Sequence, residues 1–135
     1  MNDERRPAVL IISRDCAQFA FIRSVLVGAN YQVVELSTWD DIPKSLEFLN
    51  PQLVLVDVHL FAPGVWALTH TLRTDVRFYN LPLVVMGEKI ESNEKIELIE
   101  AGVDLCLTGP LFPKEMLARF RALARRVELG LFQKI

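Results

Sequence analysis

Cysteine and histidine are scarce in this chain of 135 residues, and nothing in it resembles a long apolar run. The two cysteines, Cys16 and Cys106, lie far apart, and the two histidines, His59 and His70, add no cluster with metal-ligand spacing. That excludes a zinc centre of the usual pattern and a disulfide framework, and leaves two small, semi-buried thiols suited to a reducing cytoplasm. The opening MNDERRP is charged and is followed by only five apolar residues, AVLII. Neither a signal peptide nor a membrane span is expected, and the expected location is cytoplasmic. A large charge of one sign is missing too: with a formal net charge of −2, the chain has no field to draw it to nucleic acid or an anionic membrane. Any DNA-binding role would lie outside these residues.

What is present is hydrophobic and periodic. At 51% hydrophobic residues, the length fits one compact domain with one core. The expected division is a tail over 1–7, a domain over 8–129, and a C-terminal tail or start of an interdomain linker over 130–135. Continuous apolar runs at 8–12, 53–56 and 81–86 lack period-two alternation, as parallel strands covered on both faces do. The mixed run 31–36 suits a strand nearer an edge, and 104–108 reads as a fifth strand. Between them lie helical stretches. Residues 15–28 put Phe19, Ile22, Val25 and Leu26 on one face, and 38–50 has early acids and closes at Asn50-Pro51. Further helices are expected over 65–74, over 91–102 ending at Gly102, and over 112–129 with Pro113 in its first turn.

Five strands alternating with five helices imply an α/β fold: a doubly wound, five-stranded parallel sheet of order 2-1-3-4-5, flavodoxin-like. In that order the winding reverses between strands 1 and 3, and ligands bind beyond the carboxyl ends of those strands. Asp57 follows the third strand directly, in LVLVDVHLFAPGVW. It is the residue that topology singles out for chemistry.

These residues carry a resemblance. From about Ala8 to Arg126 the sequence resembles the receiver domain of bacterial response regulators, LVLVDVHL matching the strand that ends in the phosphoacceptor. Gly102, Asp104, Leu107, Thr108 and Pro110 match the family's fifth-strand motif in register. The likeness is closest to receivers that precede winged-helix DNA-binding or cyclase domains. It implies that Asp57 is the position taking a phosphoryl group from a kinase phosphohistidine. Mg²⁺ would be held there by two acids after strand 1, the phosphoacceptor and a backbone carbonyl. A hydroxyl after strand 4 and a lysine after strand 5 would hold the phosphoryl oxygens.

Against that pattern, Ser13 and Arg14 stand where the two acids would be, Gly87 where the hydroxyl would be, and Gly109 where the lysine before Pro110 would be. Cys106 replaces the aromatic of strand 5. Asp15, one residue beyond Arg14, is a poor substitute for an acid pair. A unit charge pair at ~4 Å contributes on the order of 4 kcal/mol at an effective dielectric of ~20, so losing two acids weakens a divalent site by decades. No Mg²⁺ or other cofactor is expected. Arg14 is expected either to reach Asp57 as a fixed cation or to point to solvent. The loop after Asp57 is longer than the family's, with Pro63 and Gly64 displaced and His59, Leu60 and Phe61 on its rim. The His59 imidazole is not expected to be a metal ligand.

A second surface is expected on the fourth helix, fifth strand and fifth helix. Glu91, Glu94, Glu97 and Glu100 with Lys95 face Lys114, Arg119, Arg121, Arg125 and Arg126, a self-complementary arrangement across a two-fold axis. In the branch resembled, active receivers dimerise through this face, which implies interface roles for Glu94, Lys95, Asp104, Arg121 and Arg125. The leading expectation is a degenerate receiver, not an enzyme. It would act through protein partners and dimerisation in signal transduction or transcriptional control without phosphorylation, with an effector domain C-terminal to this chain as a further partner. Two others stay open: a phosphorelay receiver still phosphorylated at Asp57, and a small-ligand module using space left by Gly87 and Gly109 between Arg14 and Asp57.

Overall fold

The computed structural model describes residues 6–13, 16–37, 41–59 and 64–128. Five strands and five helices alternate among them: β1 (Ala8–Ile12), α1 (Cys16–Gly28), β2 (Gln32–Leu36), α2 (Ile42–Leu49), β3 (Leu53–Asp57), α3 (Gly64–Arg73), β4 (Leu83–Gly87), α4 (Ser92–Ala101), β5 (Leu105–Thr108) and α5 (Pro113–Glu128). All strand pairs are parallel, in the order β2-β1-β3-β4-β5. The expected topology is the observed one.

Every residue of β1, β3 and β4 is buried, which is why these runs carry no alternation. Their side chains divide between two layers. Leu10, Ile12, Val54, Val56, Leu83 and Val85 pack with Ile42 and Leu46 of α2, Val65, Leu68 and Leu72 of α3, and Leu98 of α4. Val9, Ile11, Leu53, Leu55, Val84 and Met86 pack with Phe19, Ile22 and Leu26 of α1 and Met116, Phe120 and Leu123 of α5. Two helices on one face and three on the other is what right-handed crossovers from this strand order produce. Val25, expected on the core face of α1, is only partly buried at its margin.

Strand ends differ from the sequence reading by one or two residues, for hydrogen-bonding reasons. The Tyr31 amide donates back to the Leu26 carbonyl at 3.0 Å and finishes α1, with Asn30 at φ +71°, so the β2 ladder starts at Gln32. The Leu83 amide donates to the Asp104 carboxylate at 2.8 Å, while Asp104 N–H donates to the Leu83 carbonyl at 2.9 Å. Those two bonds start β4 and β5 together. At the other end β3 runs through Asp57, which pairs with Met86, so the acid is the last rung of the central strand. α2 begins at Ile42, and Asp41 occupies its N-cap without a side-chain capping bond.

Candidate functional site

The site lies at the carboxyl edge of the sheet, where β1 and β3 lie side by side and their helices leave toward opposite faces. Asp57 is 5% exposed and Ser13, directly after β1, is 3% exposed. A buried carboxylate needs hydrogen bonds to offset its lost hydration. The His59 backbone N–H donates to Asp57 Oδ1 at 2.9 Å, and the Ser13 hydroxyl donates to Oδ2 over a long 3.4 Å. His59 thus meets the acid through its backbone and leaves its side chain exposed. Arg14 and Asp15 lie outside the described residues, as do Leu60, Phe61 and Pro63 of the rim.

The end of β4 is shaped by a close approach. A Cβ placed on Gly87 would sit 2.6 Å from the Val58 Cγ1 methyl, far inside contact distance. Val58 is 7% exposed and packed in the core, so its stiff β-branched side chain has little room to give. Glycine at 87 is therefore tied to valine at 58. Gly109, beyond β5, has φ +71° with nothing within 4 Å of a Cβ. Its backbone favours glycine while the space in front stays open. Pro110 follows it, exposed. Cys106, paired with Val85 in the middle of β4, is buried, and that burial pushes its thiol pKa up, with Lys95 pulling the other way.

Mg²⁺ prefers several hard oxygen ligands in octahedral geometry. Among the described residues, no group of three or more acidic, histidine or cysteine side chains could hold a metal ion. Among the described residues the side chain brought to the Asp57 carboxylate is the Ser13 hydroxyl, so no second acid joins it, a set that fits the ion poorly.

The second surface is built around β5. Lys95, Arg121 and Arg125 are exposed and Glu94 half-buried, and among the described residues none of the four forms an ion pair within the chain. Arg119 is paired with Glu115 one turn earlier at 3.8 Å. A groove of about 410 Å³ runs between α4 and α5, with Ile99, Leu105, Leu107 and Phe112 among its walls. Ile99 and Phe112 are 48% and 65% exposed.

Asp104, expected among the interface residues, is held inside its own chain. Arg73, the last residue of α3, donates from Nη2 to Asp104 Oδ2 at 2.8 Å, from Nε to the Gly102 carbonyl at 2.9 Å, and from Nη1 to the carbonyls of Leu81 at 2.9 Å and Tyr79 at 3.2 Å. Burial lowers the pKa of this guanidinium, and Asp104 beside it works in the opposite direction. Gly102, at φ +124°, leaves no room for a side chain, since a Cβ would lie 2.8 Å from Arg73 Cγ. Arg73 was not picked out by sequence reasoning. Its partners are 6 to 31 residues away and no short motif marks them.

No protein-family model matches the chain. Among curated proteins it is 30% identical to the transcriptional regulatory protein BaeR of Escherichia coli over 92% of its own length and 50% of that protein's. It is 27% identical to the phosphate regulon transcriptional regulatory protein PhoB of Pseudomonas aeruginosa, over 90% of this chain and 53% of PhoB. The chain thus spans about half the length of the curated relatives it matches. Among solved structures, a CheY-like response regulator receiver domain protein from Methanospirillum hungatei superimposes with a TM-score of 0.80 at 17% identity, covering 93% of this chain and 98% of that one. With the strand order, the buried acid ending the central strand and these relatives in agreement, the chain is a receiver domain of the response-regulator family, a module of signal transduction.

Proposed function

We propose that this receiver is degenerate and works by protein contact rather than by phosphoryl transfer. The supporting observation is the surroundings of Asp57: a neutral serine bonded to it, and a valine methyl closing the space a side chain on residue 87 would need. Phosphoryl transfer to an acid requires its spread negative charge to be neutralised. Ser13, Gly87 and Gly109 bring no cation and no divalent site, so on this reading Mg²⁺ is not bound productively. Incubation with acetyl phosphate or beryllofluoride in Mg²⁺, followed by intact mass and NMR, tests it. No adduct is expected. Stoichiometric modification at Asp57 would instead establish the second reading, a phosphorelay receiver, which the acid's position on the final rung of β3 favours.

The contact surface we assign is α4–β5–α5. Unspent charges on Glu94, Lys95, Arg121 and Arg125 flank a groove with exposed apolar walls, and such a face suits an isologous dimer. Asp104 is assigned to the Arg73 network rather than to the dimer. Sedimentation of the native chain against Arg121→Glu is the test, and an unchanged mass would remove this face from the proposal. On this reading an effector domain beyond this chain would carry any contact with DNA, and the setting would be cytoplasmic. Among the described residues no helix is long and apolar enough to cross a membrane.

A further inference from the structure

Behind the mouth left open at Gly109 lies a cavity of about 130 Å³, bounded by α1, the ends of β4 and β5, and the loop into α5. Phe19 and Ile22 from α1, Met86 from β4, Leu107 from β5 and Leu111 from the following loop give it an apolar side, and Gly87, Glu88 and Gly109 a more polar one. Phe19, Ile22 and Met86 are 1%, 3% and 3% exposed, so the floor belongs to the core and has ordered neighbours behind it. The Gly109 N–H donates to the Glu88 carbonyl at 3.3 Å and ties the two sides of the rim. Asp57 does not line this space. The pocket expected between Arg14 and Asp57 involves a residue outside the described ones; the cavity at Gly109 is a separate space that faces α1.

We propose that this cavity binds a small aryl or branched-alkyl amine. Size sets the apolar part: an enclosed cavity of about 150 Å³ with leucine, isoleucine and phenylalanine walls admits benzene, and this space, open to solvent on one side, has a similar volume. Charge sets the head group. Among the described residues, Glu88 is the only ionisable one lining the space; it is exposed, and its carboxylate has no ion-pair or hydrogen-bond partner among them. A ring or branched chain against Met86 and Leu107 would place a protonated amine at the opening, within the field of that carboxylate. The site does not rest on the fate of Asp57 and stands apart from the contact-module reading.

Methyl NMR of the whole chain with toluene, benzylamine and benzoate as probes tests the assignment. Saturable shifts of the Ile22, Met86, Leu107 and Leu111 methyls are expected with benzylamine, weaker ones with toluene, and none with benzoate. Glu88→Gln should reduce benzylamine affinity about two- to fivefold, the range of an exposed ion pair, and leave toluene unchanged. Leu111→Trp, in a partly exposed loop, should fill the mouth and abolish both, with Leu107→Phe as a second filling variant and circular dichroism confirming that each folds. Absence of saturable benzylamine shifts at these methyls would overturn the site. Equal affinity for benzoate and benzylamine would overturn the amine, and undiminished binding in a folded filling variant would overturn the location.

Discussion

Replacing Gly87 by alanine separates the steric role of Val58 from the ordinary behaviour of a glycine in a strand. Gly87 ends β4 outside the positive-φ region, so alanine there should stabilise by roughly 0.5–1 kcal/mol through reduced freedom of the unfolded chain. The structure predicts the opposite sign. The new Cβ would lie 2.6 Å from Val58 Cγ1, and relieving such an overlap in a packed interior costs about 1–3 kcal/mol. Gly87→Ala should therefore destabilise by about 0.5–2 kcal/mol in urea unfolding. Val58→Ala, which deletes the offending methyl, should cost about 1.5–2.5 kcal/mol alone, through two lost buried carbons and a small cavity. In that background the same Gly87→Ala change should become stabilising. The next atoms, Val58 Cβ at 3.5 Å and Ile90 Cγ1 at 3.6 Å, are at ordinary contact distance. The cycle should show a coupling of about 1–3 kcal/mol, well above the few tenths seen for independent sites. If Gly87→Ala is neutral or stabilising in the native background, or costs the same in both, Val58 does not enforce the glycine.

Other perturbations follow from the same geometry. Arg73→Ala should cost about 1–3 kcal/mol, because it removes the donor from the carbonyls of Gly102, Tyr79 and Leu81 and one of the partners of Asp104; Arg73→Lys should recover little, since an ammonium lacks the fork. Equal urea midpoints for Arg73→Ala and the native chain would contradict this. Hydrogen bonding from Arg77 holds the Asp75 carboxyl down at about 2, below its ordinary 3.8. Its stabilisation is thus present above about pH 4 and lost as the pH falls toward 2, so Asp75→Asn should flatten the acid-unfolding slope in that window and nowhere else. Phe48, 92% exposed on the outer side of α2, should tolerate Phe48→Lys within about 0.5 kcal/mol, and a larger drop in Tm would mean that it is packed against something.

What could be read without coordinates was whatever depends on neighbours in the chain. Short unbroken apolar runs fit strands buried on both faces, and their alternation with amphipathic stretches leaves few topologies. The order of the sheet and the place of Asp57 at its working edge were legible on that basis, whereas Ser13, Gly87 and Gly109 stand out only against the pattern of the receiver family that the sequence resembles. Strand starts were less so, because the Tyr31 amide is claimed by the carbonyl of Leu26 at the end of α1 and the Leu83 amide by Asp104, twenty-one residues further on. Gly87 shows the limit most clearly. In the sequence it is a missing hydroxyl; in the fold it is a position that Val58, twenty-nine residues earlier on the adjacent strand's end, has closed to any side chain. Asp104 likewise matched an interface pattern in sequence, and only packing brought Arg73 across to bind it. Local periodicity determined the scaffold and the acid it presents. Tertiary structure decided what surrounds that acid, because close approach and hydrogen bonding depend on which distant side chains the sheet brings together.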